Sequence, residues 1–182
     1  MAGGLTPMDL LVANAVASLL TLVAFTMIAL WYLAPALNRK PLAAALTTLL
    51  WFHAFRYVAL QIFSAAAVGG LNATIGTLQT IAFGDLATAV LALITIAALR
   101  RGLPAAKLLV WATAIIGTAD LVSATVAGIS GHLIDTASNW SWLILAAYVP
   151  VLWITAIMIF VQLLTRRNEP LIRAAVAPST AP

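Results

Sequence analysis

Five apolar runs, at about 10–33, 42–67, 78–99, 107–127 and 140–164, alternate with short segments rich in glycine, proline and charge. Each exceeds the ~20 residues that an α-helix needs to cross a ~30 Å hydrocarbon core. The pattern predicts an all-α, integral-membrane five-helix bundle over residues 1–167, followed by a disordered tail over 168–182 rich in Ala and Pro. Thr6, Pro7 and Asp9 form a helix-start signal, with Thr6 as N-cap and Asp9 at the capping-box position. No basic stretch precedes the first run, so it reads as a span and not as a cleaved signal. Ala34 and Pro35 are expected to stop span 1, and Arg100, Arg101, Gly102 and Pro104 to stop span 3. Pro150 is expected to distort span 5. Residues 69–76 and 128–139 read as loops.

The polar positions within the runs carry the chemistry. Span 2 contains LLWFHAFRYVALQIFS, Leu49 to Ser64. An arginine in mid-span costs at least ~2.5–3.5 kcal/mol on insertion scales, so Arg56 needs a partner. At ~100° per residue, His53, Arg56, Tyr57, Gln61 and Ser64 share one stripe, with Phe52, Phe55, Ala59 and Ile62 opposite. Span 3 holds Asp85 beside Ala82, Ala89 and Ala92, and span 4 holds Asp120 beside Thr113, Gly117 and Ala124. Small residues of this kind let helices approach closely. In span 5, Ser141, Tyr148, Thr155 and Gln162 recur every seven residues as one polar seam.

Charge sets the orientation. Of nine basic residues, all but Arg56 fall in the first and third connections, just inside span 4 or beyond span 5, and the second and fourth connections hold none. The positive-inside rule then places the N-terminus outside and the C-terminus in the cytoplasm. Counting ~1.5 Å per residue along each helix brings Arg56, Asp85 and Asp120 to one level in the outer half of the membrane. Asn14 and Tyr148 fall near that level and His53 slightly deeper. These residues, with Gln61, are the candidate ligand-binding or ion-coupling site. One arginine faces two carboxylates, so the spare negative charge calls for a proton, the His53 imidazolium, a bound cation or a cationic ligand. Gly84 beside Asp85 suggests close approach of span 2, which assigns the pairing role to Asp85. Asp120, beside Thr118 and across from Tyr148, is then the exchangeable carboxylate.

Composition narrows the classes. Hydrophobic residues make up 64% and charged residues 8% of the chain, which excludes a water-soluble domain. The absence of cysteine excludes disulfides and thiolate metal sites. The net charge of +4 reflects basic connections, not a nucleic-acid surface. His53 and His132, far apart in the chain, form neither a zinc motif nor a bis-histidine haem site, so no metal or cofactor is expected. The partners implied are the bilayer and a small cationic or lipid-like ligand. Five spans are few for a complete transport path, which leaves a homo-oligomer open. The leading reading is binding or transport of a small molecule. The alternatives are an intramembrane enzyme on a lipid-like substrate, with Asp85 or Asp120 and His53 as acid and base, and a structural or assembly protein. Asn72 and Asn139 head sequences of the N-glycosylation pattern.

LLWFHAFRYVALQIFSA, with IAFGDLATAVLAL and GTADL after it, resembles a group of small bacterial multi-pass inner-membrane proteins of unknown function. That resemblance implies a bacterial inner membrane and no particular activity. AAYVPVLWITAIMIF in span 5 is similar to the last span of the EXPERA sterol-isomerase and sigma-2-receptor group. Those bundles use intramembrane acidic residues to hold an amine or carbocation.

Overall fold

A computed structural model of the chain describes residues 6–68, 73–137 and 139–171. The glycine-rich connection 69–72 with Asn72, and the tail from 172, lie outside the described residues. Among the described residues no strand occurs, and five helices are long and apolar enough to span a membrane: α1 (Met8–Asn38), α2 (Leu42–Ala67), α3 (Ile75–Arg101), α4 (Ala106–Ser130) and α5 (Trp140–Thr165).

The helix ends follow local chemistry. Thr6 and Asp9 form the expected reciprocal box: Thr6 N–H donates to Asp9 Oδ2 (2.9 Å) and Asp9 N–H to Thr6 Oγ1 (3.3 Å). α3 ends at Gly102, whose φ of 63° is left-handed, and Leu103 N–H reaches back to the Ala98 carbonyl (3.0 Å). Only glycine takes that conformation without a Cβ penalty, so the helix stops there. Pro35, by contrast, does not stop α1. A π turn over Ala29–Leu33 precedes it and the helix continues to Asn38. The wider turn adapts the backbone ahead of a residue that lacks an N–H and whose ring would meet the carbonyl four residues back. Pro150 is treated alike, with a π turn over Ile144–Tyr148 before it.

The expected loop 128–139 is also more ordered than its glycines suggest. α4 runs on to Ser130, and Leu133–Thr136 form a further helical turn. Its Leu133 is buried among Ile62, Leu78, Ile81 and Ala82, so apolar side chains in the connection anchor it to the bundle.

Helices 2–5 make a compact bundle with two apolar layers. The larger, at the end carrying the first connection and the chain's C-terminal side, includes Leu42, Leu46, Leu49, Ile96, Val110 and Ile159. The smaller, around Leu133, lies at the other end. In a lipid surrounding, as apolar as these side chains, such helices would be held by close packing and by hydrogen bonds between them. Ala82, Ala89 and Ala92 on α3 are fully buried, and Thr95 and Thr113 bond across α3 and α4 at 2.7 Å. α1 is different: most of its surface is exposed, and it packs on α5 and the Leu133 turn.

The seven-residue seam of α5 fastens it along α2. Gln61 donates to Ser141 Oγ (3.0 Å), the Tyr148 hydroxyl donates to the Phe52 carbonyl (2.5 Å), and Thr155 bonds His53 Nε2 (3.3 Å). The fourth member, Gln162, donates to Asn38 Oδ1 at the end of α1 (2.9 Å). At the same end Arg166 donates to both oxygens of Glu169 and to the Lys40 carbonyl, and Glu169 Oε1 accepts from Leu42 N–H (2.8 Å). A carboxylate therefore caps the positive end of α2. Hydrogen bonds from Arg166, then from Leu42, hold the Glu169 carboxyl below its ordinary pKa. The packed chain thus extends at least to Glu169, into the segment expected to be disordered.

Candidate functional site

The site starts from a break in α2. Between Phe55 and Leu60 the helix tightens from α to 3₁₀ geometry, with three residues per turn. The expected 100° stripe is corrected accordingly. His53, Arg56, Ala59 and Ile62, three apart, are all buried, whereas Tyr57 and Ser64 are exposed. Ala59 and Ile62, assigned to the opposite face, line up with Arg56 because each step turns the chain by ~120°. At the entrance to this stretch the Phe52 carbonyl takes its hydrogen bond from Tyr148, in the manner that irregular backbone requires inside a membrane.

Arg56 is 0% exposed and clamps three acceptors on two other helices. Nε donates to Asp85 Oδ1 (2.5 Å), Nη2 to Asp120 Oδ2 (2.6 Å) and Nη1 to the Gly117 carbonyl (2.8 Å). The guanidinium fork suits such a task, since its N–H groups point in fixed, divergent directions. Arg56, Asp85 and Asp120 meet at one point of the bundle. The division of roles is corrected: both carboxylates pair with Arg56, not Asp85 alone.

Two glycines make the clamp possible. A Cβ on Gly84 would overlap Asp120 Oδ1 and stand 2.9 Å from Asp120 Cγ. Gly84 therefore gives space to Asp120 and does not serve close approach of α2. A Cβ on Gly117 would meet Thr88 Cγ2 at 2.9 Å and Arg56 Nη1 at 3.6 Å. Thr88, one turn on from Gly84, donates to Asp120 Oδ2 (3.4 Å). Asp120 thus sits in a recess on α3 built by Gly84 and Thr88; Thr118, its expected neighbour, makes no hydrogen bond through Oγ1 among the described residues.

Beside the clamp lies a cavity of about 450 Å³ between α1 and the other helices, with the Leu133 turn in its wall. It falls in the usual size range for small-molecule sites. Its wall is largely apolar, with Asn14, Gln61, Asp85, Ser141 and Tyr148 among its polar residues. Asp120 and His53 are not among the lining residues. Asp85 is 13% exposed through this wall, and Arg56 stands behind it. Asn14, 1% exposed, donates through Nδ2 to the Ile134 carbonyl (3.2 Å), while its Oδ1 has no partner among the described residues. Of the seven sequence candidates the structure brings Asn14, Gln61, Asp85 and Tyr148 to the cavity and joins Arg56 and Asp120 behind it. His53 is set apart, bonded to Thr155. A shallower apolar groove between α2 and α5 shares Gln61, Ile144 and Tyr148 with the cavity.

Sequence reading missed the recess glycine, Thr88 and the Gly117 carbonyl. Gly84 and Thr88 are four apart on α3, a spacing that marks one face, but only the crossing of α4 shows that this face meets Asp120.

No curated protein and no solved structure matches the chain at a significant level. A family model matches residues 13–164, which covers the clamp, all of the cavity wall but Leu11 and nearly all of the five helices, and the chain belongs to that family, the one described as Domain of unknown function (DUF8737).

Proposed function

We propose that this protein is a multi-pass protein of a bacterial inner membrane that binds a small, membrane-soluble molecule in the cavity beside the Arg56 clamp. The observation that carries the reading is the cavity itself: a mainly apolar chamber lined by Asp85 and by Asn14, whose side-chain oxygen is buried without a partner among the described residues. A pair serving only to hold helices together needs neither a chamber nor a carboxylate facing into it. In this reading Asp85 is the working carboxylate and Asp120, seated on α3, holds Arg56 in place. Catalysis is less well supported, because His53, the candidate acid or base, bonds Thr155 and does not line the cavity.

The basic connections support an N-terminus outside and a cytoplasmic C-terminus, which puts the cavity in the outer half of the bilayer. Thiol labelling from outside intact cells is expected at Ile75→Cys and not at Arg101→Cys; labelling at 101 would reverse the orientation. The binding reading is tested by filling the chamber. Gly128 lines it and has open space where a Cβ would stand. Gly128→Phe is therefore expected to leave the fold intact and to displace whatever molecule the wild-type protein retains.

A further inference from the structure

Resting on the binding reading, we propose that the polar corner of the cavity is a site for a protonated primary or secondary amine carried on an apolar body. Asp85 is its counter-ion and Asn14 Oδ1 its second acceptor. Three observations converge on that chemistry.

First, most of the hydroxyl and amide donors that line the cavity are already committed to protein acceptors. Ser18 donates to the Leu145 carbonyl, Thr125 to the Leu121 carbonyl, Tyr148 to the Phe52 carbonyl, Gln61 to Ser141 and Asn14 Nδ2 to the Ile134 carbonyl. The acceptors are not. Arg56 uses one oxygen of Asp85, which leaves Oδ2 without a hydrogen bond among the described residues, and Asn14 Oδ1 is likewise unpartnered. The orientation of the Asn14 amide is fixed, because only its NH₂ can donate to the Ile134 carbonyl. An occupant that brings donors therefore answers the acceptors left open there.

Second, the charges do not cancel. Arg56 faces two carboxylates; it bonds Asp85, Asp120 and the Gly117 carbonyl and is not among the residues that line the chamber. An anion entering would meet Asp85 with no free cation behind it. A cation entering makes the cluster neutral, and in a low-dielectric site that difference is large.

Third, the two acceptors stand on different helices, Asn14 on α1 and Asp85 on α3. An ammonium with two or more N–H groups can bond both, whereas a quaternary ammonium can offer charge but no hydrogen bond. Among the described residues the side-chain hydrogen bonds that tie α1 to the bundle run from Asn14 and Ser18 to the 134–145 segment and, at its far end, to Asn38 from Gln162 and to the Leu37 carbonyl from Arg166, with none to α2, α3 or α4. The bound amine thus links α1 to α3.

The test uses four probes with one apolar cage and different heads: 1-adamantylamine, 1-adamantyltrimethylammonium, 1-adamantanol and 1-adamantanecarboxylate. Binding is measured by equilibrium dialysis of the full-length protein in detergent near pH 7. The amine is expected to bind at least tenfold more tightly than the alcohol or the quaternary cation, and the carboxylate more weakly still. Asn14→Leu is expected to bring amine and quaternary cation within about threefold of each other. Asp85→Asn should bring amine and alcohol equally close. The head-group series on the wild-type protein stands even if a variant fails to fold. Alcohol or carboxylate binding as tightly as the amine, displaced by Gly128→Phe, would overturn the amine assignment and leave the cavity reading intact. Binding of none of the four, or binding that Gly128→Phe does not change, would overturn both.

Discussion

Arg56→Leu is expected to destabilise the protein by about 3–5 kcal/mol, the usual consequence of removing one partner from a buried ion pair. Stabilities of whole domains are about 5–15 kcal/mol, so the variant should be largely unfolded under mild denaturing conditions. The cost comes less from the lost bonds than from what remains. Asp85 and Asp120, 13% and 14% exposed, would face each other with no cation between them, and the Gly117 carbonyl would lose its donor. Neutralising the carboxylates tests that origin. Because Arg56 pairs with both, Arg56→Leu with Asp85→Asn or with Asp120→Asn should recover only part of the loss, and the triple variant clearly more. The measurement is unfolding in mixed micelles with increasing denaturing detergent. A loss under about 1 kcal/mol, or full rescue by one asparagine alone, would contradict the two-carboxylate clamp.

Gly84→Ala, the addition of one methyl group, is expected to cost about 2–4 kcal/mol. In an ordinary helix interior the same change is favourable by roughly 1 kcal/mol, since alanine is the better helix former. Here the new Cβ occupies the position of Asp120 Oδ1, so the carboxylate must leave its 2.6 Å bond with Arg56 or α3 and α4 must separate. Overpacking of a dense interior costs ~1–3 kcal/mol, and disturbing the ion pair adds to it. A double-mutant cycle isolates the cause. In an Asp120→Ala background, Gly84→Ala should cost little or even stabilise, because the carboxylate it would strike is gone. Gly128→Ala serves as the control, since a Cβ there meets nothing within 4 Å. Equal losses for Gly84→Ala in both backgrounds would show that the recess is not what Gly84 provides.

The bundle of five long apolar helices was legible from the chain because long apolar runs report their number directly, and the meeting of the three charges was anticipated by counting residues inward from each end. The α5 seam was legible too: a seven-residue repeat returns to one helix face, and the structure shows all four members bonded to α2 or to the end of α1. Three features were hidden, for physical reasons. The 3₁₀ stretch at Phe55–Leu60 turns Tyr57 outward and Ala59 inward, and nothing in an apolar run signals a change from 3.6 to 3.0 residues per turn. The passage of α1 through Pro35 depends on a π turn, where sequence rules expect a stop. The roles of Asp85 and Asp120 depend on how α3 crosses α4. Gly84 is Asp85's neighbour in sequence but Asp120's neighbour in space.

The most direct measurement of the central claim is the inventory of small molecules held by the protein purified in native-membrane discs without detergent. Wild-type protein and Gly128→Phe are prepared in parallel, shown to be equally folded, and extracted for mass spectrometry. The cavity beside Asp85 predicts a molecule enriched in the wild-type sample at near-stoichiometric amount and lost from Gly128→Phe, with bulk lipid unchanged. Identical inventories from the two proteins, with bulk lipid alone in both, would contradict it.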